Sequence, residues 1–103
     1  MSKCLIYART ANESDFVINN QIESLKYLAG QKNLNVKKIF IDNGYSDTSL
    51  SRPEFQKMLR YLINNKVDAI LVKDMSRLSR NTTSILKLTN ELRELGIKIY
   101  NLS

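Results

Sequence analysis

At 103 residues, with 43% hydrophobic and 25% charged residues, one proline and three glycines, the chain is expected to form one compact domain, not a disordered tail. One cysteine, Cys4, and no histidine exclude an internal disulfide and a Cys/His zinc cluster, so Cys4 is read as packing. The apolar runs are only a few residues long and the start MSKCLIYAR lacks a signal peptide's apolar region, so a cytoplasmic protein without membrane contact is expected, while the formal charge of +6 suits a polyanion such as nucleic acid.

In chain order, KCLIYAR (residues 3–9) reads as a first strand. Ile18, Ile22, Leu25 and Ala29 recur at helical spacing and predict a helix over 17–31. VKKIFID (36–42) is a second strand. Ser51 and Glu54 form an S-x-x-E capping box with Pro53 in the first turn, and Phe55, Met58, Leu59, Leu62 and Ile63 make one apolar stripe of a second helix, read as core. VDAILVK (67–73) is apolar through its centre, as in a strand covered on both faces, and should be central. A last helix starts near Asn81 or Thr82, buries Ile85, Leu88, Leu92 and Leu95 and stops at Gly96; IKIYNLS is a fourth strand. Strand and helix alternate, so the expected class is α/β: a three-layer, doubly wound open sheet, mostly parallel, in a single domain over 1–103.

Sites in open sheets of this kind form beyond the carboxyl ends of the strands. Arg9 closes the first strand; Asp42, Ser46, Asp47 and Arg52 follow the second; Lys73, Asp74, Ser76, Arg77, Ser79 and Arg80 follow the third. Four of the six arginines fall on this edge, and the opposite loops, near Gly30 and Lys66, carry lysine and no arginine. Planar guanidinium forks suit phosphate oxygens, so Arg9 is read as a phosphate holder. The plainer alternative pairs such arginines with Asp42 or Asp74, or leaves them solvated. No G-x-x-x-x-G-K-[ST] loop and no G-x-G-x-x-G turn is present, which leaves ordinary nucleotide binding unindicated. Asp42, Asp47 and Asp74 are read as caps or arginine partners in preference to a Mg²⁺ site.

YART at the end of strand one, Gln21 on the first helix, DNGYSDTSLSRPEF after strand two and VKDMSRLSRN after strand three, in this order, resemble the catalytic domain of the serine recombinases, the resolvase/invertase and large serine integrase family. The resemblance implies DNA as substrate and DNA recombination or integration, as carried out by mobile genetic elements, with neither metal nor other cofactor. In that chemistry a serine attacks the backbone phosphate, giving a 5′-phosphoserine link and a free 3′-hydroxyl, and the stored bond removes any need for ATP. By position, Tyr7, Arg9, Ser46, Arg52, Arg77 and Arg80 match the family's active-site set, with Gln21, Asp42, Asp74 and Ser76 in support.

The family pattern places the serine nucleophile two residues after this arginine, where the chain has Ala11. A methyl group cannot attack phosphorus, so the chain as written is expected to be inactive in cleavage. Thr10 and Ser14 carry hydroxyls nearby, but covalent catalysis demands placement to about an ångström, which argues against a substitute. Deliberate replacement of a serine and natural loss of the nucleophile both account for Ala11. The resemblance also implies a chain cut before the family's long dimer helix and DNA-binding region, so the dimer or tetramer of the full-length family is expected to be impaired here. Two alternatives stay open. One is a non-catalytic DNA-binding or assembly module derived from a recombinase; the other is an unrelated doubly wound domain that binds a small phosphorylated ligand.

Overall fold

A computed structural model of the chain describes residues 2–46, 52–79 and 81–102. Strand β1 (Ser2–Thr10) leads into helix α1 (Asp15–Gln31), β2 (Leu34–Asn43), α2 (Pro53–Asn64), β3 (Ala69–Val72), a 3₁₀ turn (Met75–Arg77), α3 (Thr82–Glu94) and β4 (Lys98–Asn101). The four strands form one sheet in the order β2-β1-β3-β4, and every pairing is parallel. The expected α/β class and doubly wound arrangement hold.

Period-two alternation along β1 divides the core between the two faces. Cys4 and Ile6 pack with Leu25 and Ala29 of α1, and Ala8 packs with Ile18 and Ile22. Leu5 and Tyr7 point the other way, into a cluster with Phe55, Met58 and Leu62 of α2 and Leu92 of α3. Burial pushes the Cys4 thiol up to about 11, so it is inert packing. Because β1 continues to β2 on one side while β3 lies on the other, the strand order reverses between β1 and β3, the place where open sheets of this kind carry their sites.

Several boundaries and burial expectations are corrected. α1 begins at Asp15, two residues before the expected start at 17, because Ser14 supplies an N-cap whose hydroxyl accepts the Val17 N–H. β3 is only four residues long. The N-cap of α2 is Arg52, with no side-chain cap of its own, and Ser51 lies outside the described residues. Ile63 (78% exposed) and Leu95 (62% exposed) are not core. On α2 the sheet is met by Phe55, Met58 and Leu62, and Ile63 lies about 100° further round the helix. Leu95 is the C-cap of α3, where Gly96 at φ +78° reverses the chain. The Ile97 N–H then reaches the Leu92 carbonyl and the Gly96 N–H the Arg93 carbonyl, the Schellman pattern that buries Ile97 in place of Leu95.

Candidate active site at the carboxyl edge of the sheet

Arg9, at the exit of β1, is 2% exposed. A buried guanidinium is costly unless its donors are satisfied. Its Nε donates to the Arg77 carbonyl at 3.0 Å, Nη2 to the Ser76 carbonyl at 2.7 Å and Nη1 to the Tyr45 carbonyl at 2.9 Å. One side chain therefore ties the loops after β2 and β3 to the end of β1. The backbone of Arg9 extends past the last residue that pairs with β3, Ile6. The buried Gln21 amide takes over there, accepting from the Arg9 N–H and donating to the Arg9 carbonyl at 3.0 Å.

Asp42 is fully buried on the neighbouring strand. Its carboxylate accepts the Tyr7 hydroxyl at 2.8 Å and the N–H groups of Glu54 and Phe55, each at 3.0 Å. The first turn of α2 is thus capped from β2, and the Glu54 side chain pairs with Lys57 on the surface. Burial, followed by the hydrogen bond to Asp42 and its charge, pushes the Tyr7 hydroxyl well above the ordinary phenol range. Arg52, 7% exposed, lies 4.1 Å over the Phe55 ring and donates to the same Arg77 carbonyl as Arg9, at 3.2 Å.

The third loop is anchored by Leu78, whose side chain is buried in the α2–α3 core. Asp74 starts the 3₁₀ turn by accepting the Ser76 N–H at 3.0 Å and the Ser76 hydroxyl, and it stands 4.0 Å from the Arg77 guanidinium. Burial pushes the Asp74 carboxyl up, but the Ser76 hydrogen bonds and the charges of Arg77 and Lys73 outweigh it and hold the group below the ordinary carboxylate range. Arg52 Nε and Arg77 Nε are buried donors without a protein acceptor among the described residues.

Of the residues singled out in the sequence, Tyr7, Arg9, Gln21, Asp42, Arg52, Asp74, Ser76 and Arg77 meet in one connected network. Ala11 lies exposed on the loop after β1. Thr10 directs its hydroxyl to the Asn12 carbonyl and Ser14 uses its own as the α1 cap. Ser46 is exposed at the end of a described stretch, next to the Tyr45 carbonyl that Arg9 holds. Arg80 and Asp47 lie outside the described residues. Among the described residues no group of three or more His, Cys, Asp or Glu side chains gathers, and no helix is long and apolar enough to cross a membrane. Asn43, which the sequence reading passed over, bonds Ser14 and Asp15 across the loop; its only signal was the Asn-Gly step that follows a strand.

A parallel, doubly wound sheet whose carboxyl edge carries Arg9, Arg52 and Arg77 defines the class, an α/β domain with its candidate site at that edge. The chain belongs to the resolvase family, since the family model "Resolvase, N terminal domain" matches residues 4–103. The protein named Resolvase from Clostridium perfringens (strain 13 / Type A) is 31% identical over 97 residues, which cover 93% of this chain and 47% of that relative. The chain therefore spans about half the length of that relative. Among solved structures it is similar to the N-terminal catalytic domain of TP901-1 integrase, 29% identical with a TM-score of 0.88 over 98% of this chain and 78% of that one. It is also similar to the first ORF in transposon ISC1904 from Sulfolobus solfataricus P2, 26% identical, TM-score 0.78, covering 99% and 68%. The C-terminal catalytic domain of ISC1926 TnpA, an IS607-like serine recombinase, shares the fold at 22% identity and TM-score 0.89, covering 98% and 67%.

Proposed function

We propose that residues 1–103 form the catalytic domain of a site-specific DNA recombinase, built to hold a backbone phosphodiester among Arg9, Arg52, Arg77 and Arg80. Position 11 is the nucleophile position of that site, and with alanine there the chain holds DNA without cutting it. Support comes above all from the shared Arg77 carbonyl, which gathers Arg9 from the end of β1 and Arg52 from the start of α2.

With a serine at position 11, its oxygen would attack phosphorus while the bond to the 3′-oxygen breaks, leaving a 5′-phosphoserine and a 3′-hydroxyl. The guanidinium groups would neutralise charge on the phosphate oxygens in the transition state. Tyr7 and Asp42 orient the α2 start that carries Arg52, Gln21 fixes the backbone of Arg9, and Asp74 with Ser76 shapes the turn that carries Arg77. Ser46 stands at the rim. The partners in this reading are DNA and, in the assembled recombinase, further copies of the chain.

Reversion tests it. Ala11→Ser in a fusion to a recombinase DNA-binding region should become covalently attached to 5′-phosphate ends of supercoiled DNA carrying that recombinase's site. If the fusion is folded and bound yet leaves the DNA uncut and unattached, the catalytic assignment is wrong. Ala11 also favours a second reading, a non-catalytic module that pairs with active relatives and regulates them; mixing the unaltered chain with an active recombinase and finding neither association nor altered recombination removes it.

A further inference from the structure

Ala11, Asn12 and Glu13 bridge the end of β1 to the N-cap of α1, and all three are exposed. Such a loop cannot fix its own position by packing. Apart from the Thr10 hydroxyl on the Asn12 carbonyl, what holds it comes from the exit of β2. Upstream, the Thr10 carbonyl accepts the N–H groups of Gly44 and Tyr45, at 2.9 and 3.0 Å. Downstream, the Asn43 side chain makes both of its bonds to the far end of the loop: Oδ1 accepts the Ser14 N–H at 2.8 Å and Nδ2 donates to the Asp15 carboxylate at 2.9 Å. Gly44, at φ +90°, packs against the last residue of the loop, where a Cβ would stand 3.4 Å from the Glu13 Cβ.

We propose that Asn43 is a positioning residue, whose amide, reaching from β2, sets where residue 11 sits relative to the arginines by gripping Ser14 and Asp15. The proposal deepens the recombinase reading and rests on it for the meaning of position 11. The chemistry of the grip selects an amide. It must accept from a backbone N–H and donate to a carboxylate at the same time, which a carboxylate at position 43 cannot do beside Asp15 and an aliphatic side chain cannot do at all. The need for it follows from covalent catalysis, in which an error of about an ångström in the attacking atom costs about a hundredfold in rate. Asp15, held by this amide in the first turn of α1, also lies where a negative charge is favourable to the helix.

The test uses the full chain and two readings. Asn43→Ala should speed amide hydrogen exchange at Ser14 and Val17 by about tenfold, while the rest of the sheet keeps its protection and the unfolding midpoint falls by only a few degrees. The second reading is the thiol introduced by Ala11→Cys, titrated by its alkylation rate; buried Cys4 does not compete. On the recombinase reading, which puts residue 11 beside the arginines, that thiol should titrate about one unit or more below the ordinary value of about 8.5, and adding Asn43→Ala should return it toward that value. Asn43→Asp, which keeps the acceptor but sets a second carboxylate against Asp15, should speed exchange at Ser14 at least as much as Asn43→Ala, and Asn43→Ser carries both readings if Asn43→Ala does not fold. Unchanged exchange at Ser14 together with an unmoved thiol titration overturns the proposal. A thiol of ordinary titration in the Ala11→Cys chain, with exchange still faster in Asn43→Ala, removes the recombinase meaning of position 11 and leaves the grip of Asn43 on the loop standing.

Discussion

Arg9 and Asp42 are partners in the β1–β2 register, opposite in charge and both buried, but they are embedded differently. Asp42 collects donors from one rigid neighbourhood: the Tyr7 hydroxyl in the core and two amides in the first turn of α2. Arg9 collects carbonyls from two loops, Tyr45 on one side and Ser76 with Arg77 on the other. The anion is therefore part of the scaffold, joining a strand to a helix start, whereas the cation is the tie that draws separate loops into one site. Loss of the first should cost stability; loss of the second should cost the shape of the edge.

The largest expected effect is that of Asp42→Ala, which leaves a buried hydroxyl and two first-turn amides without an acceptor. A loss of about 4 kcal/mol in urea unfolding is expected, a large share of the stability of a domain this size, with Asn at this position about half as costly. A loss under about 1 kcal/mol would mean that Asp42 is not the cap of α2. Next comes Arg9→Met, expected to cost about 2–3 kcal/mol through three carbonyls left short of donors. Its diagnostic is local: amide exchange around Tyr45 and Arg77 should rise more than in the α2 start, and a uniform rise would erase the contrast drawn here.

Gln21→Leu should cost about 1–2 kcal/mol, because the Arg9 N–H and carbonyl lose their partner beyond the reach of β3. Smaller still is the pH response of Asp74. Its folded carboxyl is held below the ordinary range, so its contribution is complete above the unfolded value near 3.8 and is lost as the pH falls through the lower folded value. Asp74→Asn should flatten the stability profile in that acidic window and leave it unchanged at neutral pH apart from a constant offset. An unflattened profile would show that Ser76 and Arg77 do not favour the charged form. At the bottom of the scale, Ile63→Lys should change stability by no more than about 0.5 kcal/mol, as befits a side chain 78% exposed.

Much of this molecule was legible in residue order. Alternation along KCLIYAR, the helical spacing of Ile18, Ile22, Leu25 and Ala29, and the stop at Gly96 all follow from local periodicity and backbone preference, so the element order and the parallel α/β class could be read directly. So could the gathering of arginines on one edge, since a parallel sheet sends every strand end to the same side. The ordered motifs from YART to SRLSRN pointed to the family for the same reason: chemistry at that edge constrains short stretches of chain.

Partner choice was out of reach, because it depends on distances across the fold. Nothing in DNGYSDTSLSRPEF tells that Asp42 caps the first turn of α2, and nothing in YARTANES tells that Asn43 holds Ser14. The exposure of Ile63 and Leu95 is of the same kind, for an apolar stripe states which residues could be buried, whereas the position of the sheet states which ones are. Periodicity is a property of neighbours along the chain and survives in the sequence. The convergence of Arg9 and Arg52 on the Arg77 carbonyl exists only once β1, β2 and β3 lie side by side, and the tertiary structure alone decided it.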